Sequence, residues 1–267
     1  MSNLPIQYVK YLVRRFVLHT PYLDAPAPAY GLNLKVKTED VIGRRIYKHG
    51  VYEPELTSFV TERIGFRSGD LVFDVGANVG WYSLLLDRVL PVDCQVFSFE
   101  PDPHNYSLLL ENLARNDARK VRPQPMGVAD KSGTMDLHLY SDRNLGRHSL
   151  LPLHEGPTVE VEVIALDEFC ASHGLEERPV RLMKIDVEGF ELAALTGASR
   201  LLSRCETVLM EFSPTYMRTV GLEPVALLCL LSEAGFRARE FVDGELAPAD
   251  LDRLGRGDRH TNLIWQR

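Results

Sequence analysis

The chain has 267 residues, a formal net charge of −7 and four cysteines. That length fits one α/β domain with an attached segment, large enough to bury a core without disulfide or metal staples. The acidic balance argues against a broad nucleic-acid surface, so no nucleic-acid partner is expected. No apolar run approaches the roughly 20 residues that cross a bilayer. Cys94, Cys170, Cys205 and Cys229 lie far apart, which predicts reduced thiols in a cytoplasmic protein.

Charge is unevenly spread. Residues 1–50 carry eight Lys/Arg against three Asp/Glu, a net +5, so the remaining 217 residues carry −12. Ile6, Val9, Val13, Phe16 and Val17 recur at three- and four-residue spacing around Lys10, Arg14 and Arg15. The spacing predicts an amphipathic helix ended at Thr20-Pro21. It favours packing on the domain, or on a second subunit of a homodimer, over peripheral membrane contact through residues 3–19. Basic residues lie inside the apolar stretch and not ahead of it, unlike a signal peptide. Pro21, Pro26 and Pro28 predict a stiff connector before a second helix near 39–47. Residues 1–50 thus form a basic helical arm and residues 51–267 the main domain.

From residue 70 strands and helices alternate: a strand at 71–75, a helix at 80–90, a strand at 95–100, a helix at 103–116 and a strand at 121–126. Segments 134–140 and 159–164 read as an inserted hairpin. Alternation resumes with a strand at 180–186, a helix at 188–203 and strands at 207–212, 236–241 and 262–266, with a helix at 223–234 before the penultimate strand. The last strand is expected at the sheet edge. The pattern is α/β, a three-layer sandwich with a Rossmann-like sheet of about seven strands, a small β-hairpin insertion and an N-terminal helical arm.

Asp74-Val75-Gly76-Ala77-Asn78-Val79-Gly80 links the first of these strands to its helix, where open α/β sheets bind ligands. Asn78 replaces the middle glycine of a dinucleotide fingerprint, and Asp74 sets a carboxylate beside the would-be phosphate site, which opposes NAD. No GKS or GKT follows, which opposes a P-loop. A carboxylate suits a ligand with a cationic amino group and a sulfonium, S-adenosylmethionine. Glu100, ending the next strand ahead of Pro101, is placed to accept both ribose hydroxyls. Met126, Gly127 and Asp130 follow the third strand as candidates for the adenine.

DVGANVGWYS (74–83), FEPDPHNYSLLLENLARN (99–116), ALDEF (165–169), LMKIDVEGFELAALTGA (182–198) and VLMEFSP (208–214) occur in this order. In these stretches the chain resembles FkbM-type S-adenosylmethionine-dependent methyltransferases. The resemblance implies a seven-stranded methyltransferase sheet and methyl transfer to a hydroxyl of a sugar, glycolipid, polysaccharide or polyketide-type natural product. It places Asp74, Gly76, Asn78 and Gly80 around the methionine moiety and Glu100 on the ribose. A catalytically idle cofactor-binding module and an NAD-linked oxidoreductase are the competing readings.

An alcohol is a poor nucleophile, so a base should take its proton as the new bond forms. Asp186, where a central strand emerges, is the first candidate and His148 the second. Glu211, at the next strand end, is placed to orient the hydroxyl. Asp186 and Glu211 could share a divalent cation with Asn144 or His148, but no short ligand motif supports one and no metal is expected. Arg143, Asn144 and Arg147 lie in a glycine-containing loop suited to an anionic acceptor, and Tyr216 is suited to stacking on a sugar.

Overall fold

The computed structural model describes residues 4–140, 145–153 and 155–267. It opens with α1 (Leu4–Phe16), an antiparallel hairpin of β1 (Tyr22–Ala27) and β2 (Leu32–Lys37), and α2 (Val41–His49). A short α3 (Pro54–Ser58) runs into a π-helical turn at Phe59–Arg63. Then come β3 (Leu71–Val75), α4 (Trp81–Val89), β4 (Gln95–Phe99), α5 (Pro103–Arg115) and β5 (Val121–Gln124). Next, β6 (Gly127–Val128), β7 (Gly133–His138) and β8 (Thr158–Ile164) make a separate sheet with β8 in its middle. The chain returns through α6 (Leu166–Ser172), β9 (Val180–Ile185), α7 (Glu191–Thr196), α8 (Ser199–Ser203) and β10 (Cys205–Phe212). It finishes with α9 (Pro214–Thr219), α10 (Pro224–Glu233), β11 (Arg237–Val242), β12 (Glu245–Pro248), α11 (Leu251–Arg256) and β13 (Thr261–Gln266).

The main sheet runs β12-β11-β13-β10-β9-β3-β4-β5, with β10, β9, β3, β4 and β5 mutually parallel. Parallel strands are buried on both faces, and every residue of β3 and β9 is buried. Period-two alternation divides them between two layers. Val72, Val96, Leu182 and Leu209 pack toward α4 and α5, while Phe73, Phe99, Met183 and Met210 pack toward α6, α7, α8 and α10. The α/β three-layer architecture is as the sequence predicts.

Four details differ. The main sheet has eight strands, because Asp243 (φ 50°) and Gly244 (φ 80°) turn β11 back into β12. Two left-handed residues form the tight hairpin turn that an Asp-Gly pair favours. The final strand is no edge: β13 lies antiparallel between β10 and β11, and Leu263, Ile264 and Trp265 are fully buried. The helix expected over 188–203 is split into α7 and α8. A Cβ at Gly197 would stand 2.1 Å from the Ala129 carbonyl oxygen, so the break is a close backbone crossing onto the small sheet.

The fourth difference is in the arm. The proline-rich stretch expected as a connector is β1, paired with β2 from Tyr22↔Lys37 to Ala27↔Leu32. Leu23, Ala25 and Ala27 alternate inward, and Leu32, Leu34 and Val36 do the same from β2. Proline is tolerated on such an edge strand because it need not donate there. The other edge of β2 is closed by side-chain amides of α5. Asn112 Oδ1 accepts from Lys35 N at 2.7 Å and its Nδ2 donates to Lys35 O at 3.0 Å. Asn116 repeats the pattern on Asn33, at 2.9 and 3.0 Å. Among the described residues no helix is long and apolar enough to cross a membrane.

Candidate active site

The site is built where β3, β4, β9 and β10 reach the C-terminal edge of the sheet, with β3 at the point where chain order reverses. A cavity of about 260 Å³ opens there. After β3 the chain turns through Gly76 (φ 77°) and Asn78 (φ 51°). A Cβ at Gly76 would stand 1.9 Å from the Asp186 carbonyl oxygen, so only glycine lets this loop lie against the end of β9. The loop is stitched to β4: Gly76 N and Ala77 N donate to Phe99 O at 3.0 and 2.9 Å. Asn78 N donates to Glu100 Oε2 at 2.8 Å, and Asp102 N to Glu100 Oε1 at 3.0 Å. Each Glu100 oxygen keeps a second lone pair, the acceptor set a ribose diol needs. Burial raises the Glu100 carboxyl to about 7, against the pull of its two backbone amides.

Gly76, Asn78, Glu100, Pro101 and Gly127 line the cavity, joined by Phe99 and Val128 as apolar wall. This mixture of diol acceptor, backbone loop and apolar wall fits S-adenosylmethionine. Four residues expected at the cofactor lie outside this lining. Asp74 is fully buried behind the loop, where Oδ2 accepts from Ser83 Oγ at 2.6 Å and Oδ1 lies 3.7 Å from Lys184 Nζ. It shares the face of Val72, so alternation aims it at α4 and not at the edge. Gly80 begins α4, and a Cβ there would meet Leu109 Cδ1 at 2.7 Å, a helix-packing role. Met126 packs on the lower core cluster, and Asp130 is exposed away from the cavity.

The cavity also carries an acidic cluster. Asp186, Glu188 and Glu211 bring one carboxylate oxygen each within 4.8 Å of one another. Lys184 Nζ lies 3.4 Å from Asp186 Oδ2 and donates to Gly76 O at 2.9 Å. Burial alone would lower the Lys184 ammonium, but Asp186 and Asp74 together outweigh it and raise its pKa. Burial, then the charges of Glu211 and Asp186, push Glu188 up; burial, then Asp186, push Glu211 up. Glu211 Oε1 lies 2.6 Å from His260 Nε2, and that bond raises His260 in turn. His260 Nδ1 is 2.8 Å from Ser213 Oγ, which fixes the ring.

His148 lines the cavity, but its Nδ1 accepts the Tyr140 backbone N–H at 3.0 Å. A neutral ring so held carries its proton on Nε2 and donates, so His148 is not set up as the base in this arrangement. Arg147 stacks between aromatic rings, 4.3 Å from the Tyr140 centroid and 5.5 Å from that of Tyr216, and donates to the Tyr216 hydroxyl. Both Arg147 and Tyr216 line the cavity. Arg143 and Asn144 lie outside the described residues.

Residues 74–238, more than half of the chain, match the methyltransferase FkbM domain. The chain belongs to the FkbM methyltransferase family. Methyltransferase sdnD of Sordaria araneosa is 30% identical over 179 residues, 67% of this chain and 62% of that protein. Hexuronic acid methyltransferase AglP of Haloferax volcanii is 30% identical over 165 residues, 62% of each chain. The match therefore spans less than two thirds of either relative's own length. The crystal structure of methyltransferase FkbM from Methylobacillus flagellatus KT aligns with a TM-score of 0.50 at 19% identity. That alignment covers 83% of this chain and 50% of that one, and the two share a fold.

In this FkbM-family chain the site also takes residues outside the predicted catalytic and binding set. Lys184 and Glu188 flank Asp186 in the KIDVEGFE stretch, and their alternation was the available signal. Glu53 was missed entirely. It sits before α3, accepts from the Tyr82 hydroxyl at 2.7 Å, and burial followed by the Asp186 charge raises its carboxyl. His260 comes from the loop before β13 and carries no motif. Val41, Ile42 and Tyr52 line the cavity although they precede the family-matched stretch, so residues N-terminal to that stretch supply part of the wall.

Proposed function

We propose that the protein is an S-adenosylmethionine-dependent O-methyltransferase acting on a hydroxyl of a sugar, glycolipid, polysaccharide or polyketide-type natural product. The reading rests above all on the convergence of Asp186, Glu188 and Glu211 in the cavity that Glu100 also lines. Bound S-adenosylmethionine supplies an electrophilic methyl group on a cationic sulfonium. Glu100 accepts the ribose hydroxyls and Asn78 braces it. Asp186 takes the proton of the acceptor hydroxyl, and Glu211, held by His260, orients that hydroxyl. Clustered carboxylates accept hydrogen bonds from a polyol, whereas Arg147 and Tyr216 offer a cation and a ring for a carboxylate or sugar face. The family relative named a hexuronic acid methyltransferase supports a sugar acceptor. Four dispersed, unpaired cysteines support a reducing, cytoplasmic setting.

Asp186→Asn tests the assignment. It should bind S-adenosylhomocysteine with unchanged affinity by calorimetry, while methyl transfer to a panel of hexose and hexuronate glycosides falls by about 10²–10⁴-fold. Full turnover in the variant would remove Asp186 as the base. The proposal needs no metal. Equal turnover in EDTA and in magnesium is expected, and a loss restored by magnesium would reassign the carboxylates as cation ligands.

A further inference from the structure

Helix α1 presents its apolar face outward. Tyr11 is the inward anchor, 2% exposed, with its hydroxyl donating to Thr38 O at 3.1 Å. Val9, Val13, Phe16 and Val17 are 58%, 42%, 59% and 68% exposed and follow one another at helical spacing, with Leu18 beside them at 64%. A helix that needed only to pack on the domain would turn this stripe inward. Lys10 and Arg14 are exposed along one flank of the stripe. Toward the opposite flank, the Lys48 ammonium lies 4.2 Å from the ring centre of Tyr8 and 4.4 Å from that of Tyr11. Burial, then the neighbouring charges of Arg44 and Arg15, lower Lys48.

We propose that α1 is a docking helix for an anionic lipid bilayer, with Val9, Val13, Phe16 and Val17 entering the acyl boundary and Lys10 and Arg14 meeting lipid phosphates. Charge selects this occupant. A second copy joined through the same face would set one +5 arm against another, whereas an anionic surface complements both the stripe and its flanks. The placement also ties docking to the site. α1 packs on α2, and Val41 and Ile42 in the first turn of α2 line the cavity.

Flotation with vesicles tests this on the full chain. Wild-type protein should float with phosphatidylcholine–phosphatidylglycerol vesicles, stay behind with pure phosphatidylcholine, and be released by salt at about 0.5 M. V13E/F16E should lower the vesicle partition coefficient by about a hundredfold. K10E/R14E should lose binding to anionic vesicles as well. All these side chains are exposed, so both variants should keep wild-type melting temperature and S-adenosylhomocysteine affinity, which also separates this test from that of the proposed activity. Wild-type protein that fails to float, or variants that float equally, would overturn the proposal. A lipid-free dimer that V13E/F16E converts to monomer, without vesicle binding by the wild type, would assign the stripe to a second copy instead.

Discussion

Glu100 shows how one buried carboxylate can couple cofactor binding to pH. Its two oxygens each accept one backbone amide, so ribose hydroxyls must use the remaining lone pairs. Protonation would turn one oxygen into a donor and remove an acceptor that the diol needs. With the carboxyl raised to about 7, affinity should fall as pH drops through neutrality, approaching tenfold per pH unit if only the ionised form binds. Calorimetry with S-adenosylhomocysteine at about pH 6 and about pH 8 measures this. Glu100→Gln should bind more weakly at both and lose the slope. A flat profile in the wild type would take Glu100 off the ribose. Glu100 was legible in the sequence because it ends a strand in a contiguous motif, and Asp186 for the same reason. Asp74 was misread because the motif was weighed by its charge, while the alternation with Val72 and Phe73 that aims it toward α4 was not. His260 was illegible, since its partner Glu211 stands 49 positions earlier and only the return of β13 beside β10 joins them.

At the scale of elements, the arm is held by hydrogen bonds that belong to no regular ladder. Asn112 is fully buried and serves three backbone groups, Lys35 N, Lys35 O and Val79 O, the last at 2.8 Å. It fastens β2 to α5 and, through Val79, to the loop beside the cavity. Asn112→Ala strands these groups away from water and should cost about 3 kcal/mol, read as a lowered midpoint in urea. The weaker second contact, Asn116→Ala, should cost less, because Asn116 is not wholly buried. An unchanged midpoint in Asn112→Ala would mean that β1 and β2 are not fixed to the domain by α5. These amides also explain why the hairpin escaped the sequence. Its two strands read as a proline connector because their alternating Leu, Ala and Val positions are short, and their partner is a helix side chain and not a third strand. The parallel strands β3, β4, β9 and β10 were legible because burial on both faces makes them continuous apolar runs.

Across the whole molecule, carboxylates of raised pKa gather at one edge of the sheet. Burial is the leading cause in each: Glu53, Glu188 and Glu211 are raised, Glu100 to about 7 and Glu191 to about 8. The folded state therefore holds these protons more tightly than the unfolded chain, where a glutamate titrates near 4.5. Their stabilising contribution is fully present below that value and is lost as pH rises through the folded values, so for Glu100 and Glu191 the window runs from about 4.5 to about 8, and Glu188 carries it higher. His260, raised by Glu211, works in the same direction over its own range. The half-buried Glu111, lowered by its bond to Lys35, acts oppositely, but only at the acid end of the scale. The melting temperature should accordingly be higher near pH 5 than near pH 8, the reverse of a protein held by surface ion pairs. Glu191→Gln isolates one contributor. Glu191 Oε1 accepts Val187 N and Gly189 N at 3.2 and 3.1 Å, bonds an amide oxygen preserves, whereas its buried Oε2 has no hydrogen-bond partner among the described residues. The variant should fold with the same turn after β9 and show a shallower decline between the two pH values. A cationic ligand stabilises ionised carboxylates, so S-adenosylmethionine should raise the melting temperature more at pH 8 than at pH 5, and by more than neutral S-adenosylhomocysteine does at pH 8. A melting temperature that climbs across this window in the wild type would show that the edge carboxylates ionise without a burial penalty, and S-adenosylmethionine would then gain no extra stabilisation at the higher pH.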